Sequence, residues 1–216
     1  MSEVARAYHQ VRNNVATFVE ARPAVVADRV PACPEWTVRD LVAHLVGIAG
    51  LVIGRLTGWP PESKRSSADL DPAGLLDEWD RLGERVEELV AEQGGGDVML
   101  MDAFTHELDL RSTMGIPFPA GHPAFEPAVA VLVRGFTGAV ESHGLPGLRL
   151  ATPDAQWEVG EPTATVTAPD YDLYRSLAGR RTHAQIAALD WSSGPEPWLP
   201  AFAWGPFTPP SAPVER

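Results

Sequence analysis

The chain has one cysteine, Cys33, in 216 residues, so no disulfide can form within it. Basic residues are scarce: 17 Lys and Arg stand against 29 Asp and Glu, a formal net charge of -12. A surface built to hold phosphates needs the opposite sign, which argues against nucleic acid and against an anionic membrane as partners. No unbroken apolar run approaches the ~20 residues that cross a bilayer. The N-terminus "MSEVARAYHQVRNN" lacks the basic-then-apolar layout of a secretion signal. These absences together predict a cytoplasmic protein. Two catalytic signatures are missing as well. No Gly-x-Gly-x-x-Gly follows a strand pattern, and Gly94-Gly95-Gly96 enters one helix from another, which does not suit a phosphate loop. No Gly-x-Ser-x-Gly nucleophile elbow occurs.

What is present reads as helices first and strands later. Val4, Tyr8, Val11, Val15 and Val19 recur at helical spacing over 2–21, and Pro23 closes that helix. Thr37 and Asp40 form a capping-box pattern ahead of a second helix that carries Leu41, His44, Leu45 and Ile48. A polar linker over 61–71 follows. Asp71 and Pro72 suit the start of a third helix, which Gly94-Gly95-Gly96 breaks. Asp97 is the expected cap of a fourth helix, ended by Gly115 and Pro117, and 123–142 reads as a fifth. After that the texture changes. "GLRLATPDAQWEVG" alternates around a Pro-Asp turn and predicts a hairpin of strands 147–152 and 156–159. "TATVTA" is a third strand, 169–180 a short helix, and "THAQIAALDW" a further helix. The expected organisation is α+β: a helical bundle over 1–143, then a small α+β domain over 144–216 with a Pro-rich tail.

The fourth helix holds the chemistry. In "MLMDAFTHELDLRSTMG", Asp102 and His106 lie four residues apart and Asp109 three further on, so all three share one side of the helix. Carboxylates and imidazoles bordering an apolar stripe are how helical bundles build interior metal sites. Catalytic zinc takes about three protein ligands and keeps an open position, and His44 on the second helix is the natural third. The plainer alternatives stand beside this. A lone histidine on an apolar face is ordinarily a core residue with one hydrogen bond. A solvated pair, or an i,i+4 hydrogen bond, accounts for Asp102 and His106 as well as a metal does.

Two stretches resemble a known family. "VPACPEWTVRDLVAHL", residues 30–45, is similar to the signature of the mycothiol-dependent maleylpyruvate isomerase family, and "DAFTHELDLR", residues 102–111, to that family's acidic-x3-His-x2-Asp element. The resemblance implies a DinB-like four-helix bundle followed by a small α+β C-terminal domain, matched here by the hairpin and by "LYRSLAGRRT". It implies a divalent metal, zinc in the first place, on His44, Asp102 and His106, with Asp109 steadying the His106 ring or a neighbouring arginine. The family usually has glutamate where this chain has Asp102, one methylene shorter. Arg180 or Arg181 would bind a substrate carboxylate, with a helix C-terminal cap as the alternative.

The chemistry so implied is activation of a thiol, mycothiol, as cosubstrate at an open metal position, for isomerisation of a small electrophile or for S-transfer to it. Metal-assisted hydrolysis and a non-catalytic metal- or ligand-binding sensor are the rival readings. Cys33, between Pro31 and Pro34, reads as a packed small residue, so the low-molecular-weight thiol must come from outside. Trp36, Trp59 and Trp79 read as core residues. Trp191, Trp198 and Trp204, with Phe202 and Phe207, are expected to pin the tail onto the body. Monomer and homodimer both remain open.

Overall fold

A computed structural model describes residues 2–59 and 67–215; part of the polar linker expected at 61–71 lies outside them. The fold is α+β, with two compact units that divide between Ala128 and Val129.

The first unit is built from four helices: α1 (Glu3–Ala21), α2 (Val38–Thr57), α3 (Pro72–Gln93) and α4 (Asp97–Met114). Each start has a local cause. The Ser2 hydroxyl accepts from Ala5 N–H at 3.2 Å, and the Asp71 carboxylate accepts from Gly74 N–H at 2.8 Å. At α2 the capping box closes in both directions: Thr37 N–H donates to Asp40 Oδ2 at 2.9 Å, and Asp40 N–H to Thr37 Oγ1 at 3.3 Å. The Thr37 amide and hydroxyl hold the Asp40 carboxyl below its ordinary value. A depressed carboxylate contributes stability above its unfolded pKa and loses it only as pH falls through the lowered one, so this cap persists into moderately acidic solution.

At α4 the expected cap is corrected. Gly96, at φ 89°, takes the cap position and Asp97 is the first helical residue. A run of glycines lets the chain turn in αL just before the helix, a conformation Asp97 would enter only with strain. By length and composition alone α2 would suffice to cross a membrane, with a mean hydropathy of 1.5. Here its Leu41, Val42, Leu45 and Ala49 belong to the buried core instead. α4 is buried on nearly every side, from Met99 to Met114. That is why its charged residues have partners: Glu107 Oε1 accepts from Arg111 Nε at 2.7 Å and from Asn14 Nδ2 at 3.0 Å.

One feature of this unit is absent from the sequence reading. β1 (Arg29–Val30) and β2 (Cys33–Thr37) pair antiparallel and lead straight into α2. This small hairpin carries Cys33 and Trp36.

The second unit begins within α5 (Phe125–Ser142), earlier than the break expected at 143/144. Side-chain packing accounts for this: Phe136 lies 4.8 Å, centroid to centroid, from Phe202, and the indole of Trp204 sits so close to Gly135 that no Cβ would fit there. The sheet runs in the order β4 (Gln156–Val159), β3 (Gly147–Ala151), β5 (Pro162–Thr167), β6 (Asp190–Trp191). β3 (Gly147–Ala151) and β4 (Gln156–Val159) form the expected hairpin, in register Leu148 to Val159, and β5 (Pro162–Thr167) lies parallel to β3. α6 (Asp170–Leu177) covers residues expected as a helix. The helix expected over 182–191 is shorter. It is α7 (His183–Ala187), and β6 (Asp190–Trp191) pairs antiparallel with β5, because the open edge of β5 offers its backbone groups to that segment. The tail is anchored by indoles, with Trp198 Nε1 donating to the Pro146 carbonyl at 2.8 Å and Trp204 Nε1 to that of Leu177 at 3.1 Å.

Candidate metal centre

α2 and α4 meet through polar side chains at one place. The capping box starts α2 at Val38, so His44 falls within its first two turns and faces α4. His44 Nε2 donates to Asp102 Oδ2 at 3.1 Å, and His106 Nε2 lies 3.7 Å from Asp102 Oδ1. The two imidazoles are 4.9 Å apart, edge to face. Ligand atoms of His44, Asp102 and His106 all lie within 4.8 Å of one another. Donors about 2.1 Å from a shared ion lie at most about 4.2 Å apart, so small side-chain adjustments let this set fit a cation. His106 is buried, while His44 and Asp102 keep 26% and 28% of their side-chain surface exposed. The cluster therefore has a closed side and an open side, as a site that admits an exchangeable ligand requires.

The supports come from behind. Asp109 has no exposed side-chain surface, and its Oδ2 accepts from His106 Nδ1 at 3.0 Å. With Nδ1 donating there, Nε2 is the ring nitrogen that faces Asp102. Cys33 Sγ donates to the same Asp109 oxygen at 3.7 Å. Trp36 lies against both rings, 4.9 Å from His44 and 5.5 Å from His106. Neither Cys33 nor Trp36 stood out in the sequence as part of a site. The hairpin that delivers them could not be read from a segment holding Pro31 and Pro34, although "PEWT" just before the capping box was the available signal.

Cys33, His106 and Asp109 form a second set of donors within 4.8 Å of one another. Asp109 there is already occupied by two hydrogen-bond donors and has no open side, so this set reads as the support of the first. Trp79 is core, donating to the Tyr8 hydroxyl at 2.9 Å, whereas Trp59 is 78% exposed and corrects its expected burial. Trp59 sits at the helix end, past the last buried turn.

The two arginines of "AGRRT" are placed by the second unit. Arg180 Nη1 donates to the Ala178 carbonyl at 2.7 Å, a cap at the C-terminus of α6. Arg181 is buried, with Nη2 2.9 Å from Asp172 Oδ1 and Nη1 2.6 Å from Glu215 Oε2.

A family model, the mycothiol maleylpyruvate isomerase N-terminal domain, matches residues 8–111, a span that contains His44, Asp102 and His106. No curated protein matches the chain. The solved structure of the mycothiol-dependent maleylpyruvate isomerase is similar, at 15% identity, TM-score 0.56, and 89% of this chain against 92% of that one. A histidine-to-alanine mutant of that enzyme superposes alike, at 14% identity and TM-score 0.55 over the same shares. Residues 8–111 thus match the model of the mycothiol maleylpyruvate isomerase N-terminal domain, and over most of its length the chain has the fold of the mycothiol-dependent maleylpyruvate isomerase.

Proposed function

We propose that this protein is a metal-dependent enzyme that uses mycothiol as cosubstrate to isomerise a small electrophile, one with a double bond conjugated to a carbonyl. The observation that carries the reading is the convergence of His44, Asp102 and His106 inside the matched span. A divalent cation, zinc in the first place, would be held by these three side chains, and when bound it lowers the pKa of a thiol so that thiolate is present at neutral pH.

The reaction itself needs only that thiolate. Its sulfur adds to a carbon of the conjugated double bond, and the π electrons move to the carbonyl oxygen as an enolate. The former double bond is now single and rotates. The enolate electrons return, the C–S bond breaks, and the thiolate leaves with the trans isomer behind it. Nothing is oxidised and no thiol is consumed. With an electrophile bearing a leaving group, the same sulfur forms a bond that persists as that group departs, which is S-transfer.

This chain's residues have separate duties in that scheme. Asp109 fixes the His106 tautomer. Trp36 covers the two imidazoles on one side and keeps bulk water from their ring faces. Arg181 pairs with Asp172 and Glu215 within the second unit. The lone cysteine and the thiol chemistry suit a reducing, cytoplasmic setting.

The test is direct. Purified protein loaded with zinc should convert a cis unsaturated carbonyl compound to its trans isomer only when mycothiol is added, and a chelator should remove the activity. Turnover of an ester or amide without thiol would point to hydrolysis instead. Saturable metal binding without any turnover would point to a sensor. The supporting carboxylate makes a second prediction: Asp109→Ala should weaken metal affinity by roughly 10–100-fold while leaving one cation per chain at saturation. A competition titration with a chromophoric chelator reads that shift, and an unchanged affinity would remove Asp109 from the centre.

A further inference from the structure

A cavity of about 450 Å3 opens beside the metal centre, and Asp102 lines both. Its walls follow from helical spacing. Counting from His44, Ile48 is one turn along α2, Leu51 and Val52 two, and Arg55 three. Met99 and Val98 precede Asp102 by three and four residues on α4. The two stripes face each other, so the cavity runs along the seam between the helices, and the seven residues from Ile48 to Arg55 extend it about 10 Å along α2.

The lining is uneven. Near Asp102 and through its middle the wall is aliphatic. Among the described residues three large hydrophobics are exposed, and two of them, Leu51 at 60% and Val98 at 63%, are in this wall. Exposed apolar side chains gathered beside a candidate reaction centre are the mark of a binding surface. At the far end stands one cation. Arg55 is exposed and has no ion-pair partner among the described residues. Asp97, near the N-terminus of α4, is the other charged residue beside Asp102.

We infer that this cavity binds an electrophile with an apolar body and a single carboxylate: Arg55 pairs with the carboxylate, and the aliphatic seam between α2 and α4 takes the body, bringing the reactive end to Asp102. This deepens the proposed function, on which it rests, by naming a substrate class. A compact diacid fits the cavity poorly. It would leave the aliphatic wall wet and would bring two negative charges to one guanidinium and two carboxylates.

Binding can be measured without metal or turnover, so its outcome is separate from that of the isomerase reading. Calorimetric titration of the metal-free protein with octanoate should give one saturable site, with succinate binding far more weakly. Arg55→Met should weaken octanoate by roughly tenfold or more, the loss of a charge-assisted hydrogen bond. Val98→Asp should weaken it similarly by placing a carboxylate in the seam. Both positions are exposed, so circular dichroism should be unchanged. Tighter binding of succinate than octanoate, or octanoate affinity indifferent to either substitution, would overturn the assignment. If the isomerase reading fails while these shifts hold, the cavity is still a site for an apolar monocarboxylate.

Discussion

His106→Ala should empty the metal centre and take thiol-dependent activity to background. His106 is the buried member of the cluster, 7% exposed, and the one whose second nitrogen is fixed from behind. Removing it deletes a ligand outright, so the loss of affinity should exceed the roughly 100-fold that removal of a supporting group costs. The substitution also strips Asp109 of its imidazole donor, and a buried carboxylate that loses a hydrogen bond costs about 1–3 kcal/mol. Stability should therefore fall as well. His44→Ala separates the two effects. His44 is 26% exposed and backs no buried carboxylate, so its removal should lose metal and activity with little change in unfolding midpoint. If both variants keep zinc and activity, the centre lies elsewhere.

The second large effect concerns the tail. Glu215, the penultimate residue, buries its carboxylate among cations. Oε2 accepts from Arg181 Nη1 at 2.6 Å, from Arg175 Nε at 3.0 Å and from the Tyr171 hydroxyl at 3.1 Å, and Arg175 pairs with Oε1 as well. Arg175 has no exposed surface. Burial of the Tyr171 phenol raises its pKa above the ordinary value, so it stays a neutral donor to Glu215 across the physiological range. Glu215→Gln would take a counter-ion from the buried Arg175 and Arg181, and breaking such a pair from one side costs about 3–5 kcal/mol. Urea denaturation should show that loss. A change within about 1 kcal/mol would mean that the tail is not held by this charge. Zinc affinity offers a check, since the metal donors lie in residues 44–106 and the tail supplies none of them.

The parts of this fold that were legible in the sequence are those set locally. Thr37 with Asp40, and Asp71 with Pro72, mark the starts of α2 and α3 because the cap bonds span three residues. Helical periodicity placed His44 and His106 on their helices, and Asp109 beside His106. The misses are long-range. Whether Gly96 or Asp97 caps α4 turns on which residue adopts αL, and adjacent candidates look alike in one dimension. The β1–β2 hairpin is too short, and too rich in proline, to leave an alternating pattern, so Trp36 read as core although it covers two imidazoles. Arg181 meets Glu215 across 34 residues, and no local signal predicts that partner.

The central claim is that one cation is bound by His44, Asp102 and His106. It is tested most directly by equilibrium titration of the metal-free protein with zinc, in wild type and in the His44→Ala, Asp102→Ala and His106→Ala variants. One zinc per wild-type chain, and none in any variant under the same conditions, is the predicted result. Wild type that takes up no zinc, or variants that bind it with unchanged affinity and stoichiometry, would contradict it.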